Sequence, residues 1–298
     1  MRSTKLLLLC ATVPAAAILM DSLHSESTGM LPTASGPTAY ARTGESCGRC
    51  HSPFSGGPTV TVAPTARVMA QGQPITITVS STGGAPKNTN LGWAGGFAAD
   101  VTAGALSAGT GSRIDLTGTA ITHTNSYTAQ RVWSFGYIAP TKAGLVEFWT
   151  VVNTVDGNGY NTNDQWAWHG SSTFNDFSTP VRLYVNAKGV QAVGTGCADG
   201  NRNVGVFGAP LTPTIGQMFR LEGFGLPPGQ KCLLAFGFQK TFTPVSTANL
   251  GAPNCFLNTD LSPLQLFFQT TGTNTKQNRQ KGSGTFTLAA PVPNQSSL

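Results

Sequence analysis

Two short runs, Thr59-Val60-Thr61-Val62 and Ile75-Thr76-Ile77-Thr78-Val79, alternate an apolar β-branched residue with threonine. A period of two places every second side chain on one face of an extended strand, so each run can bury only one face of a sheet. No window of the chain repeats its apolar residues at a helical period. Further strands are predicted at Gly96 to Val101, Ala120 to Thr124, Arg131 to Tyr137, Val146 to Val152 and Val181 to Val185. Seven such strands, parted by Gly, Asn and Thr turns, fit a β-sandwich. Trp133, Phe135, Phe148 and Trp149 fall on these strands and read as its core.

Around Asn186 to Gly196 the composition shifts to Gly, Ala and Val, which marks a boundary. Beyond it the all-β character repeats at Gln217 to Glu222, Lys231 to Phe238, Leu264 to Gln269 and Thr285 to Ala289. The apolar-free tract Thr270 to Gly284 reads as an exposed loop. The expected fold is therefore all-β, two β-sandwich domains in tandem, over 44–188 and 189–298. Only 10% of the residues are charged, which describes exported β-modules better than a cytosolic enzyme.

The N-terminus agrees. Arg2 and Lys5 precede an apolar run, Leu6 to Ala17, that ends in Ala15-Ala16-Ala17. This is the pattern of a secretory signal over 1–20, too short for a membrane span of about 20 apolar residues. Residues 21–43, rich in Ser, Thr, Gly and Pro, read as a flexible leader. No other segment has the composition of a membrane span. Without Arg2 and Lys5, 16 basic residues face 12 acidic ones, a net charge of +4. The basic residues are scattered, whereas nucleic-acid binding would gather them in a patch.

Directly after the leader stands Cys47-Gly48-Arg49-Cys50-His51. With six Cys and four His in 298 residues, a C-x-x-C-H pentapeptide arises by chance about 0.002 times per chain. Chance is a poor explanation. Covalent attachment of haem c needs this arrangement: two thiols add across the porphyrin vinyl groups, and the next residue reaches the iron. A Cys47–Cys50 disulfide and a half zinc site are the competing readings. Zinc wants a second ligand pair at similar spacing, and none exists. No βαβ pattern follows the motif, as a thioredoxin-like pair would require. One haem c is expected, attached through Cys47 and Cys50, with His51 as proximal iron ligand.

Several motifs in order around this pentapeptide resemble a known family. They are Gly44 to His51, Ile121-Thr122-His123-Thr124, Trp133-Ser134-Phe135-Gly136-Tyr137-Ile138-Ala139-Pro140, Gly144, and Asn153 to Asp164. Together, over about residues 44 to 170, they resemble bacterial exported domains of the reeler-like, "choice-of-anchor V" type. The stretch Asp164 to Asp176, with Trp166, Trp168 and His169, departs from that pattern as an insertion. The C-terminal part resembles β-modules of secreted planctomycete and myxobacterial proteins. It does so at Gly194-Thr195-Gly196-Cys197, Leu234-Ala235-Phe236-Gly237-Phe238 and Gly251-Ala252-Pro253-Asn254-Cys255. The first resemblance implies fold, export and haem. The second implies a Cys197–Cys255 disulfide, with Cys232 buried and free in an apolar strand.

For the sixth iron position His123 is the preferred ligand, since it lies on a predicted strand and matches the histidine of the family pattern. Met69, His169 and an open site are the alternatives. His24, in the leader, could serve only a neighbouring chain's haem in a homo-oligomer. Iron with two histidines is closed to small ligands and suits electron transfer, whereas an open position would admit peroxide or a gas. No acid–base pair accompanies the motif, so an electron carrier with a redox partner protein is favoured over an enzyme. The competing class is a surface or matrix β-module that binds a partner or polysaccharide and in which haem is structural. The loop Asp156 to Asp164 carries carboxylates and amides as calcium sites do, but without EF-hand spacing. An Asx-rich turn is the preferred reading. Location is expected to be periplasmic, extracellular or at the cell surface.

Overall fold

In the computed structural model the described residues are 47, 51, 57–87, 94–124, 130–158, 160, 162–170, 179–192, 204–226, 231–235, 240–246, 256–259, 265–269 and 284–292. The signal and leader expected over 1–43, His24, Cys50, Cys197, Cys255 and the Thr270 tract up to residue 283 lie outside them. The described chain is nearly all β. In order, its first strands are β1 (Thr59–Pro64), β2 (Val68–Met69), β3 (Pro74–Thr82), β4 (Gly95–Val101), β5 (Ala105–Ser107) and β6 (Ser112–Ile114). Next come β7 (Ala120–His123), β8 (Val132–Ile138), β9 (Gly144–Thr154), β10 (Gln165–Trp168) and β11 (Val181–Val185).

These strands make two sheets. One has the order β1-β3-β8-β5, and the other β2-β11-β9-β4-β7-β6 with β10 also paired to β9. The alternating runs become β1 and β3, antiparallel from Thr59↔Thr82 to Pro64↔Ile77. Val60, Val62, Ile75, Ile77 and Val79 are buried, as the period of two requires. They meet Phe97, Ile121, Val146, Phe148, Val152, Val181 and Leu183 from the facing sheet in one core. This is a β-sandwich. At eleven residues β9 outruns its neighbours. One edge pairs with β4, while the other takes β11 along Gly144 to Phe148 and β10 along Val151 to Thr154.

Aromatic rings fill the middle of the core. Phe97 lies 4.9 Å from Trp133 and stacks on Phe135 at 5.7 Å, and Phe135 meets Phe148 at 6.0 Å. Because Phe148 is fully buried, Phe148→Ala is expected to cost about 3–5 kcal/mol, measured by urea unfolding. An equal loss from the exposed Leu116→Ala would show that this core does not carry the stability.

The C-terminal part holds β12 (Val206–Gly208), β13 (Met218–Leu226), β14 (Lys231–Ala235), β15 (Lys240–Ser246), β16 (Phe256–Thr259), β17 (Gln265–Gln269) and β18 (Gly284–Pro291). Among the described residues these strands form β12-β13-β18 and two pairs, β14-β17 and β15-β16. Cys232 sits on β14 opposite Phe268. β11 touches the first of these sheets across the expected boundary. Tyr184 stacks on Phe224 at 6.1 Å and donates its hydroxyl to Glu222 at 3.0 Å, and Ala209 N–H donates to Asn186 Oδ1 at 3.0 Å.

Candidate haem-attachment site

The strand pattern that buries Phe148 must turn its neighbour Trp149 the other way. Trp149 is therefore not in the sandwich core, as the sequence reading had it, but on the opposite face of the larger sheet. There it clusters with Val151, Trp166 and Trp168, and Cys47 and Ala98 pack against them. Register explains the cluster. Ala98, Val151 and Trp168 stand in one row across β4, β9 and β10, and Gly96, Asn153 and Trp166 stand in the next. Trp166 and Trp168 meet edge to face at 6.1 Å. The stretch that departs from the family pattern thus supplies a strand and two of the cluster's indoles.

Two residues of the pentapeptide are described, Cys47, which packs on this cluster, and His51. The His51 N–H donates to the Cys47 carbonyl at 2.9 Å. Downstream, Gly57 crosses β10 so closely that a Cβ there would sit 2.7 Å from the Trp166 carbonyl oxygen. Only glycine allows that approach.

His51 is anchored by a partner 113 residues away. Its Nδ1 lies 2.7 Å from Asp164 Oδ2, with side-chain exposures of 14% and 2% respectively. Asp164 Oδ1 accepts the Asp156 N–H at 3.2 Å. Asn163, immediately before it, is the one non-glycine residue with positive φ among the described residues, at 66°. Asn tolerates this left-handed backbone better than most residues, and here it precedes the buried carboxylate. The rest of the loop is stitched by Asx-type bonds: Asn158 N–H and Nδ2 to the two oxygens of Asp156, and Tyr160 N–H to Asn158 Oδ1. Among the described residues no three or more His, Cys, Asp or Glu side chains gather as a metal-ion ligand set. A haem iron asks less of the chain, because the porphyrin supplies four ligands and the protein only the axial ones.

His123 ends β7. Pairing of β7 with β4 stops at Ala98↔Thr122, and beyond it the His123 imidazole meets the backbone of Phe97, its Nδ1 3.2 Å from both that N and that O, while the Thr122 hydroxyl donates to the same carbonyl at 2.7 Å. The ring lies over Gly96: a Cβ there would come within 2.2 Å of Cε1, 2.5 Å of Nδ1 and 2.6 Å of Nε2. Gly96 shares its row with Asn153 and Trp166, so His123 and the pentapeptide belong to the same sheet face. The start of β4 beneath is fixed by Arg131, whose guanidinium donates to the carbonyls of Ala94 at 3.0 Å, Gly83 at 2.9 Å and Ala85. Burial pushes the His123 pKa down, holding the imidazole neutral as a metal ligand must be.

The alternative ligands are placed elsewhere. Met69 is 1% exposed within the sandwich core. His169 is half-buried just after β10, where its Nδ1 donates to the Thr179 carbonyl at 2.6 Å, and desolvation pushes its pKa down as well.

No family model matches this chain, and no curated protein matches it. Solved structures do. A Reelin-N domain is among them. The Reelin-N domain of F-spondin is similar over 41% of this chain and 94% of that one, with 11% identity and a TM-score of 0.29. The sporulation control protein Spo0M from Bacillus subtilis is similar over 72% and 91%, with 12% identity and a TM-score of 0.22. Among the described residues no helix is long and apolar enough to cross a membrane.

Asp164, Gly96, Trp166 and Trp168 are the parts of the site that sequence reading did not assign. The sequence signal for Asp164 is its place at the end of the carboxylate- and amide-rich loop Asp156 to Asp164, just before an aromatic strand.

Proposed function

We propose that the chain is an exported mono-haem c-type cytochrome that carries electrons outside the cytoplasm, its haem attached through Cys47 and Cys50 and ligated by His51 and His123. Exported domains of the reeler-like, choice-of-anchor V type are its family on this reading. The observation that carries it is the tie of His51 Nδ1 to Asp164 at 2.7 Å, which leaves Nε2 as the nitrogen free to meet iron. Bound haem supplies a one-electron couple at iron. Cys47, packed on Trp149, Val151, Trp166 and Trp168, fixes one edge of the attachment turn and gives a porphyrin an apolar wall that excludes water. His123, neutral and seated over Gly96, offers the second nitrogen from a strand rather than a loop.

The test is a visible spectrum of the protein produced with haem-attachment machinery, with a reduced-minus-oxidised scan. A reversible low-spin haem c difference spectrum is expected. A protein that absorbs only in the ultraviolet would overturn the reading.

An oxidising compartment also implies a disulfide, and we assign it to Cys197 and Cys255, which lie in Gly/Asn contexts at the positions characteristic of the C-terminal module. The bridge closes a long loop, for about 2–4 kcal/mol of stability. Peptide mapping without reduction should recover that cross-link and an unmodified Cys232. A bridge that contains Cys232 would refute the assignment.

A further inference from the structure

We infer that Asp164 is a positioning residue that sets the reduction potential of the haem through His51; this rests on the haem reading above. The carboxylate is 2% exposed and 2.7 Å from His51 Nδ1, so it accepts the Nδ1 proton in a dry setting where a charge-assisted bond is strong. Two consequences follow for the imidazole. The tautomer is fixed with its lone pair on Nε2, and the ring is locked in orientation. Electron density also moves toward Nε2, since a proton shared with an anion makes the imidazole more like imidazolate. A more basic Nε2 binds ferric iron more strongly than ferrous, which lowers the potential.

The arrangement is built to keep this partner in place. The other oxygen of Asp164 is held by the Asp156 amide at 3.2 Å, the preceding Asn163 adopts φ 66°, and the following residue, Gln165, opens β10, in register with Thr154. Such a carboxylate is not needed to hold the pentapeptide itself, which is closed by its own backbone bond from His51 to Cys47. An axial histidine could equally be oriented by a neutral backbone carbonyl, as His169 is by Thr179. At His51 the chain places a buried charge instead.

The test uses the full-length, haem-loaded protein and compares wild type with Asp164→Asn, which keeps an oxygen acceptor and removes the charge. Outer partners of this kind change a ligand's metal interaction by about 10–100-fold. As a ratio between ferric and ferrous forms, that is a rise in potential of about 59–118 mV, at about 59 mV per tenfold for one electron. Urea unfolding is recorded alongside. A potential unchanged in a folded, haem-loaded Asp164→Asn overturns the inference even if stability falls, because a purely structural bond would move stability alone. Should the variant fail to fold, the wild type still decides. In the diamagnetic ferrous protein the His51 Nδ1 proton should give a slowly exchanging, far-downfield signal, and its absence would overturn the inference. Wild type that takes up no haem sinks the cytochrome reading itself. Haem-loaded wild type with an insensitive potential sinks only the role of Asp164.

Discussion

Haem stays with the polypeptide when the protein is denatured and extracted with acid-acetone: this is the expected result for two thioether links at Cys47 and Cys50, and it is all-or-none in form. Non-covalent haem leaves under those conditions because unfolding destroys its pocket, whereas a thioether survives unfolding. The intact mass should exceed that of the chain by one haem. Cys50→Ser should reduce or abolish retention, because one link would remain at most. Clean extraction of all haem, or a mass matching apoprotein alone, would end the claim. The same experiment separates haem from the competing disulfide at Cys47 and Cys50, since a disulfide would be cleaved by reductant and add no mass.

The second large effect is expected at the sixth iron position. If His51 and His123 both bind, the oxidised protein is expected to be low-spin; in His123→Ala it should become high-spin or water-ligated, with a raised potential. Gly96→Ala should do nearly the same without removing any nitrogen. Its Cβ would fall 2.2 Å from His123 Cε1, and a ring held to the Phe97 backbone cannot stay there. The pair of variants distinguishes ligation from a local structural role, because both should shift the spectrum while Thr124→Ala, next door on the chain, should not. If the spectrum of His123→Ala is that of wild type, the residue is excluded and the sixth ligand lies elsewhere. Met69 would need the sandwich core to open. His169 would need to leave Thr179.

Much of the fold was legible because a half-buried strand writes itself into the sequence at period two. The runs at Thr59 and Ile75 emerge as β1 and β3, and the other expected strands appear within a few residues of their predicted limits. Short strands escaped: β2, β5, β6 and β12 have two or three residues each, too few for a period to register. β10 escaped for another reason. Its Trp166 and Trp168 alternate correctly, yet the outward face of β9 is itself apolar, so nothing local says which side of the sheet they cover. Trp149 was misassigned on the same ground, since hydrophobicity alone does not tell a sandwich core from a second apolar layer on the sheet's far side.

By itself the sequence determined the all-β class and the pentapeptide Cys47 to His51, because strand periodicity and thiol spacing are local properties of neighbouring residues. Only the tertiary structure decided what the motif leans on. Asp164 reaches His51 across 113 positions, Cys47 rests on indoles from β9 and β10, and His123 has room because Gly96 on an adjoining strand has no side chain. Each of these is a meeting across sheet register and loop closure. Such meetings leave no local trace, since they depend on where strands far apart in the chain come to lie side by side.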